Sequence, residues 1–99
     1  MNNLKITDIK FYYFDTSFKG GRIRAYADIT LNNSLIIRNV QIIETEHGGY
    51  FPNYPQKKVK GEWVSYIVFE SKEIEKEFRE KIIDEYIKFG SGNDTKDLK

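Results

Sequence analysis

The chain has 99 residues, 39% of them apolar, with seven Phe, seven Tyr, one Trp and no cysteine. This length and apolar content suit one globular domain with a bulky core, and the absence of cysteine excludes disulfides and thiolate metal sites. The net charge of +1 hides an asymmetry: residues 1–69 carry nine Lys/Arg against six Asp/Glu, whereas residues 70–89 carry five against seven. An anionic partner is therefore expected to meet the first part.

From Lys5 to Phe14 the chain reads KITDIKFYYF, rich in β-branched and aromatic residues. Ile9, Phe11 and Tyr13 share one strand face at period two, and Tyr12 and Phe14 lie on the other. DTSFKGGR (15–22) is a glycine-marked loop. RIRAYADITL (22–31) then alternates most cleanly, with Ile23, Ala25, Ala27, Ile29 and Leu31 on one side and Arg22, Arg24, Tyr26, Asp28 and Thr30 on the other. Asn32-Asn33 suits a hairpin, because asparagine tolerates positive φ. The next run, Ser34 to Glu44, is long enough to bend or bulge near Arg38-Asn39.

TEHGG (45–49) is a turn leading into YFPNYPQKKVKGEW (50–63). Successive N–H groups of a strand point to opposite edges, and Pro52 and Pro55 are three apart. Strand pairing is thus expected to fail or bulge between Phe51 and Gln56, and the lysines to begin a protruding loop. A short strand over Trp63–Phe69 closes the sheet region.

A helix comes next, with Ser71 as its N-cap and Gly90 as its stop. Ile74, Phe78, Ile82, Tyr86 and Phe89 form its apolar stripe, with Ile83 at the margin. Glu75–Arg79, Glu77–Lys81 and Asp84–Lys88 are acid-first pairs at i,i+4. Residues 91–99 read as a disordered polar tail, leaving 1–90 as the single domain. The expected fold is α+β: an antiparallel sheet of four to five strands with one C-terminal helix on one face. One helix covers only one face, so a homodimer is the expected cover for the other.

Enzyme motifs are missing. His47, the single histidine, lies in a turn; neither glycine pair precedes a helix, as a phosphate loop requires; and no His/Asp/Glu cluster has metal-ligand spacing. The chain is expected to be non-catalytic, without cofactor or membrane span, and cytoplasmic. Two features can carry binding. Lys57, Lys58 and Lys60, with Arg22, Arg24 and Arg38, suit phosphate contact, although lysines also protect sheet edges. The aromatics at 11–14, and Tyr50, Phe51 or Tyr54, suit base stacking, although strand aromatics also fill cores and interfaces. An apolar pocket under the helix would point to a small-molecule site instead.

KITDIKF, RIRAYADITLNNSLIIRNVQIIE, GYFPNYPQKK and IIDEYIKFG, in this order and spacing, resemble the SpoVG family over most of residues 4–90. The resemblance implies a small dimeric α+β protein of sporulation or septation that binds DNA and RNA and regulates without catalysis. It also implies that the basic pair after the proline motif, here Lys57 and Lys58, contacts nucleic acid. The family often has arginine second, and lysine keeps the charge without the bidentate fork, so weaker sequence preference is expected. Val68-Phe69 stands where the family has His-Pro, and Pro52 where it has an apolar strand residue. The alternative reading is a protein–protein module that docks a division or developmental partner.

Overall fold

The computed structural model describes residues 4–14 and 20–97, with 91–97 as backbone only. Four strands, β1 (Ile6–Tyr13), β2 (Ile23–Leu31), β3 (Leu35–Glu44) and β4 (Tyr50–Asn53), form an antiparallel sheet in chain order. A second, two-stranded sheet pairs β5 (Gln56–Val59) with β6 (Glu62–Ser65), and one helix, α1 (Lys72–Asp97), comes last. The α+β arrangement read from the sequence is the one observed.

The core lies between α1 and one sheet face. Ala25, Ala27, Ile29, Leu31, Val40 and Ile42 meet Phe78, Ile82 and Tyr86 there, all buried. Phe11 stands opposite Ala27 and Tyr13 opposite Ala25 in the register, so small residues of β2 leave room for the aromatics of β1 and α1. The Phe11 ring lies 5.6 Å from Tyr86 and 5.1 Å from Phe89, and Tyr13 reaches Phe89 at 6.0 Å. The residues at 11–14 divide accordingly. Phe11 and Tyr13 lie on the helix side, Phe11 half-buried and Tyr13 exposed at the edge, while Tyr12 and Phe14 are exposed on the other side, with the Phe14 ring 5.3 Å from Tyr26.

Three local devices set this register. Asn32 and Asn33 both take positive φ, 51° and 52°, in the β2–β3 turn. Thr45 closes the β3–β4 turn around the exposed His47, its Oγ1 accepting the Gly49 N–H at 3.1 Å. The third is a bulge: Ala27 pairs with Val40 but Ile29 with Ile37, so Arg38 and Asn39 together oppose Asp28. Asn39 takes φ 63° there, at the place where the sequence suggests a bend. A second shift, between Ile23 and Ala25, breaks the alternation of β2 at Arg24.

Ser71 caps α1, its Oγ accepting the N–H groups of Glu73 at 3.1 Å and Ile74 at 3.3 Å. Gly90 does not end the helix, which continues to Asp97. Its φ is not left-handed, so it lacks the conformation that makes glycine a stop. Of the acid-first pairs, Arg79 donates to both oxygens of Glu75 at 2.8 Å. Lys81 and Lys88 instead approach Glu85, at 3.4 and 3.8 Å.

Candidate nucleic-acid interface

The proline segment breaks where its spacing predicts, but a new ladder begins directly after it. Pro52 is buried opposite Ile42 on edge strand β4, taking the place of an apolar residue. An edge strand tolerates it because only one of its two edges pairs. Pairing to β3 ends at Asn53, and Tyr54-Pro55 joins the two sheets. The expected loop at the lysines is corrected by the turn beyond them. Lys60 and Gly61 take φ 52° and 84°, the two consecutive positive angles of a two-residue hairpin turn. The chain therefore folds straight back, pairing Val59 with Glu62, Lys58 with Trp63 and Lys57 with Val64.

All eight residues of β5 and β6 are exposed. Alternation along the strands gives the hairpin two faces. Gln56, Lys58, Trp63 and Ser65 share one, and Lys57, Val59, Glu62 and Val64 the other. Each face carries a cation over an aromatic ring: Lys58 Nζ lies 5.7 Å from the centroid of Trp63, and Lys57 Nζ 5.7 Å from that of Tyr66. Lys60 stands in the turn between them. Trp63 and Tyr66 are each 62% exposed and Val68 is 74% exposed.

The arginines separate from this hairpin. Arg24 serves the structure, its Nε donating to Glu44 Oε1 at 2.8 Å and its NH1 group to the carbonyl of Gly21 at 2.9 Å. Arg22 is exposed, its NH1 group 3.4 Å from the Glu44 carbonyl. Arg38 sits on the bulge, paired with Asp28 at 3.2 Å yet 68% exposed, and keeps charge to offer. Tyr54 packs its ring on Phe69 at 5.3 Å. Its hydroxyl is buried without a hydrogen-bond partner, and burial, reinforced by Glu75 and opposed by Arg79, pushes its ionisation far above the ordinary tyrosine range. Tyr54 is thus a packing residue and offers no free ring for stacking.

The register also assembles a site that no local pattern announces. Tyr12 pairs with Tyr26, Tyr26 with Gln41, and Gln41 with Asn53, one row across all four strands on the face away from α1. Beside it lies a groove of about 730 Å³, with Tyr26, Asn39, Gln41 and Asn53 among its lining residues. Tyr54, Pro55, Gln56 and Trp63 complete the lining from the hairpin side. Asn53 Nδ2 donates to Gln41 Oε1 at 2.9 Å, tying the two strands together at the groove. In the sequence the only hint of it is a polar Gln41 between Val40 and Ile42. Among the described residues no group of His, Asp and Glu is placed to hold a metal, and no helix is long and apolar enough to cross a membrane.

The comparisons with known proteins agree on one family. The SpoVG family model matches residues 4–88. A protein of Borreliella burgdorferi strain ZS7, named as a septation protein, SpoVG, is 26% identical over 85 residues, which are 86% of this chain and 88% of that protein. A Fusobacterium nucleatum protein of the same name is 34% identical over 65 residues, 66% of this chain and 68% of that one.

Proposed function

The chain belongs to the SpoVG family, and from that premise we propose that it is a dimeric, non-catalytic regulator that binds nucleic acid in the cytoplasm and acts in septation or sporulation. The observation that carries the nucleic-acid reading is the β5–β6 hairpin. It is an exposed two-stranded ribbon with a lysine over an aromatic ring on each face and Lys60 in its turn. A two-stranded ribbon fits a duplex major groove, and lysines on both of its faces can meet both phosphate walls. Lys57, Lys58 and Lys60 contact phosphates in this reading, with Arg38 and Arg22 as flanking charge. Arg24 and Tyr54 serve the fold.

Salt titration of binding to short DNA and RNA tests it. Three phosphate contacts give a slope of log K against log salt of about −2 on single strands and about −3 on duplex. Salt-independent binding, or binding unchanged in a Lys57→Ala/Lys58→Ala double variant, overturns it.

The dimer rests on the uncovered surface. Val64, Tyr66 and Val68 are exposed on or just after the hairpin, and Tyr12, Phe14, Ile36 and Phe51 on the sheet. A hairpin of this size is marginal alone in water, so a second copy that covers part of it stabilises it. Light scattering at micromolar concentration is expected to give twice the chain mass; a monomer mass contradicts the proposal. The same exposed side chains, with a net charge of only +1, favour the second reading, a module that docks a division or developmental protein. Capture of a protein partner from nuclease-treated lysate, with no salt-sensitive nucleic-acid binding, selects it.

A further inference from the structure

We infer that the groove between the open sheet face and the hairpin takes an unstacked base of a single strand. This inference rests on the nucleic-acid reading above and assigns the base contacts that reading lacks. The groove brings together four carboxamides, Asn39, Gln41, Asn53 and Gln56, and three aromatic residues, Tyr26, Tyr54 and Trp63. Each carboxamide offers both a donor and an acceptor, which matches the mixed edge of a nucleobase. Trp63, 62% exposed, offers a flat surface for its ring, and Tyr26, packed on Phe14, walls the groove beside it. Among the described residues no Asp, Glu, Lys or Arg lines the groove, so a neutral heterocycle enters without desolvating a charge of that lining.

The surroundings supply the rest of a nucleotide site. Lys58 shares the Trp63 face of the hairpin, its ammonium 5.7 Å from the ring centroid, and in this inference it moves off the ring to the phosphate adjoining the bound base. Arg38 stands next to Asn39 with most of its side chain in solvent. At about 730 Å³ the groove is within the size range of small-molecule sites and accepts a base with its sugar. A base inside a duplex cannot reach an amide row at the foot of a hairpin. The groove therefore selects unpaired strands or splayed-out bases.

Trp63 is the single tryptophan and reports directly on the groove. The test titrates the full chain with a single-stranded 12-mer and with an abasic strand of equal length, following anisotropy and Trp63 emission. The base-bearing strand is expected to bind about five- to a hundredfold more tightly, the range of one base–aromatic stack, and to quench Trp63. A Gln41→Ala/Asn53→Ala variant is expected to lose about tenfold for the base-bearing strand while its abasic binding and salt slope stay unchanged. Equal, salt-dependent binding of both strands without quenching overturns this inference and leaves the proposed function standing. Failure of both strands to bind at low salt overturns both. A free protein whose Trp63 is already shielded from iodide also overturns it, because a second copy then fills the groove.

Discussion

Lys57 and Lys58 are neighbours in the chain but stand on opposite faces of the hairpin, one over Tyr66 and the other over Trp63. They therefore serve different contacts. Each single alanine variant is expected to reduce the salt slope by about 0.7 on single strands, and the two losses to add. Only the Lys58→Ala variant is expected to shift Trp63 emission. Salt titrations of the two single variants and the double variant, read by anisotropy and by fluorescence, check this; equal spectral effects from both single variants contradict the two-faced arrangement.

Asp28 holds the bulge of β3. Its Oδ2 accepts from Tyr12 Oη and from Arg38, each at 3.2 Å, and its Oδ1 lies 3.4 Å from the Asn39 N–H. Asp28→Ala removes all three and is expected to cost about 1–3 kcal/mol in urea unfolding. Tyr12→Phe removes one and is expected to cost about 1 kcal/mol or less. A larger loss from Tyr12→Phe than from Asp28→Ala would show that the carboxylate does not organise the bulge.

Gly61 has open space where a Cβ would stand, yet its φ is 84°. A Gly61→Ala variant is strained by its backbone alone, by about 1–2 kcal/mol. Since, among the described residues, β5 and β6 pair only with each other, the strain falls on the hairpin and leaves the four-stranded sheet intact. The expected result is greater quenching of Trp63 by iodide with little change in the main unfolding transition.

Tyr54 gives the fold a dependence on alkaline pH. Burial raises its folded-state ionisation, so above the unfolded-state value of about 10 the unfolded chain loses a proton that the folded chain keeps. The unfolded state then binds fewer protons, and stability falls as pH rises past about 10. Tyr54→Phe removes this contribution along with a buried hydroxyl that has no partner. Unfolding measured near neutral pH and in the alkaline range is expected to show the variant at least as stable as the parent at the lower pH and less sensitive at the higher. A parent whose stability is flat between them contradicts the assignment.

Much of this architecture is legible in the chain itself. The stripe Ile74, Phe78, Ile82 and Tyr86, the Ser71 cap and the bulge at Arg38-Asn39 are local patterns, and each forms where the periodicity puts it. Gly90 misleads because glycine ends a helix only in a left-handed conformation, which neighbours and not composition decide. The hairpin escapes a local reading for a related reason. Two prolines report correctly that the first sheet stops, but not that a second ladder starts at Gln56 and turns at Lys60-Gly61.

Local chemistry along the chain settles strands β1 to β3, the break after the prolines, the helix-facing stripe and the basic segment, because periods of two and 3.6 residues and the missing proline N–H act over a few neighbours. Which side chains meet is settled only by the folded chain. Arg24 leaves the basic set by pairing with Glu44, twenty residues away. Tyr26, Gln41 and Asn53 join one row only when three strands fix their register. A one-residue slip in that register would turn the row to the other face, so no reading of single segments can place it.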